Sequence, residues 1–262
     1  FDAAIKSYKQ ALKIKPDYAE AYYNIGVILK IVGNLQAAIE SYEQAIKISP
    51  DYADAYNNMG VALQEKGDVN AALKSFKKAL NFKPDYAEAY NNIGLILNSK
   101  GDLESAIQSY KKALNIKPIY SEAYNNMGIA FTSQGDLENA LESFKQALKI
   151  KSDYAEAFVN MGNALQGNGE LEAAIKSYKQ ALKIKPDYAD AYFNMGVALQ
   201  DKGYLKAALD SFTIGLKIKP DDQKYRSQKL HLQARMCDWI GVREEEVLIS
   251  ELGTTTQHIS PF

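Results

Sequence analysis

Large apolar residues recur along the chain at intervals of three and four, and glycine and proline interrupt them at regular steps. The spacing is that of amphipathic helices, and strands are not expected. Pro16, Pro50, Pro84, Pro118, Pro186 and Pro220 keep a spacing of 34 residues, with Ser152 in the remaining slot. Two glycine series share the period: Gly26, Gly60, Gly94, Gly128, Gly162 and Gly196, then Gly33, Gly67, Gly101, Gly135, Gly169 and Gly203. Six full copies therefore run from Asp17 to Pro220. Ser7 to Tyr22 returns as Ser177 to Tyr192 with one change, Glu20 to Asp190, which marks the array as a product of duplication.

Each copy holds two turn signals, which predicts two antiparallel helices of ~14 residues, about 20 Å long. Asp17 followed by Glu20 reads as a capping box opening the first helix. The pair recurs as Asp51 and Asp54, Asp85 and Glu88, Asp153 and Glu156, and Asp187 and Asp190, while Ile119 replaces the cap in the fourth copy. The second glycine series is placed to end the first helix in the left-handed conformation, and the prolines end the second helix. The first glycine series lies inside a helix, where glycine costs roughly 1 kcal/mol relative to alanine. Close approach of the two helices explains it, with Ala38, Ala72, Ala106, Ala140, Ala174 and Ala208 as the expected small residues opposite.

Tyr22, Ile25, Gly26, Leu29, Ala38, Tyr42, Ala45 and Pro50 match the signature W-x2-L-G-x2-Y, A-x3-F, P, with aromatic or aliphatic equivalents at the large positions. On these residues the chain resembles the tetratricopeptide repeat family. The resemblance implies an all-α fold, a right-handed superhelical solenoid of antiparallel helix pairs whose concave groove is lined by the first helices. Residues 1–16 correspond to the second helix of a preceding repeat, and 17–220 hold the six units. Residues 221–262 form a degenerate seventh unit, whose first helix is expected at about Asp222 to Met236 with Cys237 in the turn-glycine slot. Lys229, Leu230, His231, Cys237, Asp238 and Trp239, with the Ile259, Ser260, Pro261, Phe262 end, resemble the junction between repeats and catalytic domain in O-GlcNAc-transferase-like glycosyltransferases.

Composition narrows the chemistry. Lys+Arg 31 against Asp+Glu 32 gives a net charge of -1, and this balance offers no electrostatic reason for a nucleic-acid or membrane partner. Arginine first appears at Arg226 and histidine at His231, while Cys237 and Trp239 are the lone thiol and indole. Residues 1–225 thus lack the imidazole, thiol and guanidinium groups of common active sites, so no catalytic residue, metal ligand or cofactor is expected. The single cysteine points to a reducing, cytoplasmic setting. His231, Cys237 and His258 share no metal-ligand spacing.

The candidate site is a row of amides. Asn24, Asn58, Asn92, Asn126, Asn160 and Asn194 occupy one position of the first helix, and asparagine is a poor helix former. Such a ladder can bond the backbone of an extended peptide, as the asparagine-lined groove of O-GlcNAc-transferase repeats implies, or it can tie neighbouring helices. Asn57, Asn91 and Asn125 double the amides in the middle copies, with Gln64, Asn98 and Thr132 a turn away. Tyr23, Ile31, Val159 and Phe193 stand at the outer copies, where they would take apolar ligand side chains or pack between repeats. Among these positions only Lys30 is basic, which argues against a clamp for a carboxylate terminus. The acidic row Glu20, Asp54, Glu88, Glu122, Glu156 and Asp190 answers the helix dipole or attracts a basic ligand. The lysine-rich second helices, with Lys77, Lys78, Lys111 and Lys112, read as solvated outer faces.

The expected function is a non-catalytic module that binds an extended peptide or protein segment in its groove. Two alternatives stand beside it: the substrate-recognition arm of an O-GlcNAc-transferase-like enzyme, and an assembly scaffold. In the scaffold, Ile5, Tyr8 and Leu12 would mediate end-to-end self-association.

Overall fold

A computed structural model of the protein describes residues 1–237. The expectations for Asp238, Trp239, His258 and the Ile259 to Phe262 end fall outside the described residues. Among the described residues there are fourteen α-helices and no strand. The chain divides into two compact units, Phe1–Asp136 and Leu137–Phe262, and the division falls between the two helices of the fourth copy.

The first unit holds α1 (Asp2–Ile14), α2 (Ala19–Ile31), α3 (Leu35–Ile48), α4 (Ala53–Glu65), α5 (Val69–Phe82), α6 (Ala87–Ser99), α7 (Leu103–Ile116) and α8 (Ser121–Gln134). The second holds α9 (Leu137–Ile150), α10 (Ala155–Gly167), α11 (Leu171–Ile184), α12 (Ala189–Asp201), α13 (Leu205–Ile218) and α14 (Gln223–Arg235). Within each unit every helix packs on the next in sequence. The first helices of successive copies also touch: α2 with α4, α4 with α6, α6 with α8, and α10 with α12.

The turn glycines behave as their position predicts, with φ between 79° and 93° from Gly33 to Gly203. At the end of α2, the Asn34 N–H donates to the Leu29 carbonyl at 2.9 Å and the Gly33 N–H to the Lys30 carbonyl at 3.0 Å. These are the paired bonds of a Schellman motif, and they recur at every first-helix end through Tyr204 and Leu199. After α14 the left-handed conformation returns without a glycine: Cys237 holds φ 57°.

The capping boxes do not form. First helices open two residues after the aspartate, with Tyr18, Tyr52, Tyr86, Tyr120, Tyr154 and Tyr188 at the N-cap and no side-chain cap bond. Asp17 is spent in the turn that follows Pro16. Apart from Asp222, which accepts from the Lys224 N–H at the start of α14, side-chain caps belong to the second helices, where Asn34 accepts from the Ala37 N–H, Asp68 from that of Ala71 and Asp102 from that of Ser105 at 3.0–3.3 Å. Their placement directly after the turn glycine makes them the first residue able to meet the free amides.

The interior glycines also have a partner other than the one expected. A Cβ on Gly26, Gly60, Gly94, Gly162 or Gly196 would lie 2.5–2.6 Å from a ring carbon of Tyr42, Phe76, Tyr110, Tyr178 or Phe212, respectively. The ring, and not the alanine series, occupies the space above the glycine. The alanines are nonetheless completely buried, as are the five rings. Between α13 and α14 the pairing changes: Gly215 and Tyr225 replace the buried alanine pair found as Ala45 and Ala55, and the Tyr225 ring fills the gap over Gly215.

Candidate functional site

In the first unit the row position lies on α2, α4, α6 and α8, and the amides of Asn58, Asn92 and Asn126 reach back to the preceding first helix. The Asn58 Nδ2 donates to Tyr23 Oη at 2.8 Å, Asn92 Nδ2 to Asn57 Oδ1 at 3.2 Å, and Asn126 Nδ2 to Asn91 Oδ1 at 3.0 Å. Each acceptor sits 35 residues earlier, one period plus one step along the helix. Asn24, Asn58, Asn92 and Asn126 are half-buried.

Asn57, Asn91 and Asn125 are different in kind, being only 6%, 5% and 5% exposed. They do not double the open amide row; they are buried between helices, and the Asn57 and Asn91 oxygens hold the next copy's amide. Burial of an amide is tolerable where hydrogen bonds replace water. In the second unit the half-buried Asn194 donates to Asn163 Oδ1 at 2.8 Å, and Asn160 also interacts with its surroundings.

Asn163 was not among the expected residues. It also accepts from the Tyr178 hydroxyl at 2.8 Å, while Gln166 Oε1 lies 2.9 Å from that hydroxyl. The available signal was a break in periodicity, since the same slot is Val27, Val61, Leu95, Ile129 and Val197 elsewhere.

Gln64 and Asn98 are half-buried, and the Thr132 hydroxyl turns back to the Gly128 carbonyl at 2.9 Å. Of the four apolar positions, Tyr23 packs against Tyr42 and Tyr52, and Phe193 against Phe212 and Tyr225. Val159 is buried, which leaves Ile31 as the exposed one. Burial, followed by the Asp54 charge, raises the Tyr23 hydroxyl above its ordinary pKa, although the Asn58 bond opposes the shift.

Part of the acidic row is used internally. Lys117 Nζ lies 2.8 Å from Glu88 and Lys219 Nζ 2.7 Å from Asp190, each lysine following the second helix of the same copy. Lys77, Lys78, Lys111 and Lys112 are exposed. His231 and Cys237 are exposed as well, and the described residues contain no group of His, Cys, Asp and Glu arranged to hold a metal. No helix among them is long and apolar enough to cross a membrane.

Stacked antiparallel helix pairs of constant length, joined by identical turns, define a helical repeat protein. The chain belongs to the tetratricopeptide repeat family: residues 1–31, 31–67, 128–169 and 168–203 match the TPR repeat, and 51–119 and 189–222 match the tetratricopeptide repeat. Such repeats build protein-interaction scaffolds and are generally non-catalytic. A comparison with curated proteins found no match.

Among solved structures, the APC/C hetero-tetramer Cut9-Hcn1 is similar at a TM-score of 0.76 and 15% identity, over 88% of this chain. This chain spans only 46% of that one. PilW, a type IV pilus biogenesis factor, reaches a TM-score of 0.74 at 22% identity, covering 80% of this chain and 97% of its own. YrrB, described as a TPR protein with an unusual peptide-binding site, reaches 0.57 at 24% identity, covering 75% and 99%. These likenesses establish the fold.

Proposed function

We propose that the protein is a non-catalytic interaction module that holds an extended peptide against its first helices, with asparagine side chains bonding the peptide backbone. The supporting observation is the state of Asn92 and Asn126. Each spends one N–H on the preceding helix, which fixes its rotamer, and keeps a second N–H and a carbonyl oxygen that no other described residue engages. A fixed amide with one donor and one acceptor to spare matches the needs of a peptide unit, and fixing it beforehand lowers the entropy cost of binding. The peptide-binding site named for YrrB is in keeping with this reading. The free, exposed thiol of Cys237 is the basis for proposing a cytoplasmic location.

The test is titration of the protein with an end-capped hexaglycine peptide, followed by NMR. The Asn58, Asn92 and Asn126 side-chain amides are expected to shift, and the triple change to alanine is expected to abolish the response. Tyr23→Phe serves as the control, since it removes the acceptor of Asn58 but leaves every amide in place. Unmoved amide signals at millimolar peptide would refute the reading.

Two other readings remain as proposals. Lys229 to His231 and Trp239 favour a substrate-holding arm of a glycosyltransferase, which the gene downstream of Phe262 would test. Self-association through α1, none of whose residues is fully buried, predicts a mass above the monomer in light scattering at high concentration.

A further inference from the structure

One slot in the repeat is chemically incomplete, and the other copies show what completes it. The residue after each second helix is Lys15, Lys83, Lys117, Lys151, Lys185 or Lys219, and only in the second copy's entry turn is it Ser49. In five of these copies the ammonium lies over the ring of the tyrosine three residues on. The distances to the Tyr18, Tyr86, Tyr120, Tyr154 and Tyr188 centroids are 5.3, 4.4, 4.5, 4.6 and 4.8 Å. Lys117 shows the full arrangement, because its Nζ also lies 2.8 Å from the carboxylate of Glu88 on the same copy's first helix. One ammonium is thus shared between an aromatic face and a carboxylate, a combination of cation–π and ion-pair attraction.

The residues equivalent to Tyr120 and Glu88 in the earlier copy are Tyr52 and Glu20, and both are present. Their lysine is absent, and the Ser49 hydroxyl is turned to Asp51 at 2.7 Å. Tyr52 remains within the field of Glu20: burial, with the negative charges and hydroxyls of Tyr23, Glu20, Asp54 and Tyr18, pushes its pKa up to about 12. Tyr23, whose ring centroid is 5.1 Å from that of Tyr52, accepts from Asn58 and so connects this place to the asparagine row.

The geometry points to a subsite for a lysine side chain of the bound peptide, formed by Tyr52 and Glu20 and supported by Tyr23, at one end of the amide row. The ligand supplies in trans the ammonium that Lys117 supplies in cis at Glu88 and Tyr120. Resting on the peptide-binding reading, this subsite adds a sequence preference to recognition that is otherwise blind to side chains. The lysine is expected to register with Glu20 while the following backbone runs toward Asn58.

The subsite is tested apart from the row with N-acetyl-lysine N-methylamide as the probe and the norleucine analogue as its uncharged control. NMR signals of Tyr52 and Glu20 are expected to shift with the lysine compound and not with norleucine. Ser49→Lys restores the residue found in the other six slots; it should fold and abolish the shift by filling the subsite from within. Glu20→Gln should reduce the response several-fold. Equal responses to lysine and norleucine, or an undiminished response in Ser49→Lys, would overturn the proposal. Hexaglycine capture in the same Ser49→Lys protein reports separately on the row: capture retained there while the lysine response is lost supports the subsite, whereas no capture by the wild type would overturn the peptide-binding reading on which the subsite rests.

Discussion

Gly94→Ala provides a direct test of why glycine occupies the middle of the first helices. The new Cβ would stand 2.5 Å from Cε1, 2.8 Å from Cδ1 and 2.9 Å from Cζ of Tyr110, against an optimal carbon separation of about 3.5–4.0 Å. Tyr110 is fully buried, so its ring cannot swing aside into solvent. Helix propensity alone favours the substitution by roughly 1 kcal/mol, whereas overpacking costs about 1–3 kcal/mol, and a three-atom overlap in a closed site belongs at the upper end. The net expectation is a loss of about 2 kcal/mol, roughly 4–8 °C in Tm for a chain of this size. Gly167→Ala is the internal control: a Cβ there meets nothing within 4 Å, so thermal melting should show a neutral or raised Tm. In the double variant Gly94→Ala/Tyr110→Leu the combined loss should be smaller than the sum of the two single losses, because the clash has been removed. A Gly94→Ala protein that melts at or above wild type would refute the ring-packing account.

The tyrosines that cover these glycines make a second comparison. The Tyr110 hydroxyl is buried without a partner, whereas that of Tyr178 bonds to Asn163 and Gln166, so Tyr110→Phe should be neutral or stabilising and Tyr178→Phe should lose about 1 kcal/mol by urea unfolding. Cys237→Gly relieves a left-handed backbone that costs an L-residue roughly 1–2 kcal/mol, and slower hydrogen exchange in α14 would report the gain. Burial pushes the Glu88 carboxyl up, but Lys117, the backbone and Lys83 together hold it below its ordinary value. Its pairing therefore stabilises above the unfolded carboxylate pKa and is lost as pH falls through the folded one. Lys117→Met should lower stability slightly at pH 7, with the ion pair contributing on the order of 0.5 kcal/mol, and the gap in Tm to wild type should narrow on acidification to what the Tyr120 cation–π contact contributes; a gap independent of pH would refute the role of the pair.

Much of the architecture is legible in the sequence because each repeat position meets the same neighbour six times over. A left-handed turn residue, a buried alanine and a covering aromatic return every period, and selection for one packing leaves one residue class at each. The helix starts were less legible, since Asp17 and Glu20 have the spacing of a capping box, but Pro16 starts a turn that consumes the aspartate. Only after this turn does the helix begin, at Ala19. Spacing along the chain cannot distinguish a carboxylate that caps a helix from one that precedes it.

The candidate site was legible by residue type and not by depth. Asn57 and Asn58 are adjacent in sequence, yet a step of about 100° around the helix takes one side chain into the inter-helix seam and leaves the other half-exposed. Their roles then become linked, because the buried oxygen of Asn57 is what orients Asn92. The triple alanine variant of Asn58, Asn92 and Asn126 should therefore lower the melting temperature, contrary to what an amide row serving only a ligand predicts, since it strips partners from Tyr23, Asn57 and Asn91. Orphaning a buried amide oxygen costs about 1–3 kcal/mol, so Asn92→Ala alone should be measurably less stable than Asn24→Ala, whose position has no preceding asparagine to satisfy. Equal melting temperatures for these two single variants would show that the inter-helix bonds contribute nothing, and the preorganisation on which peptide capture depends would go with them.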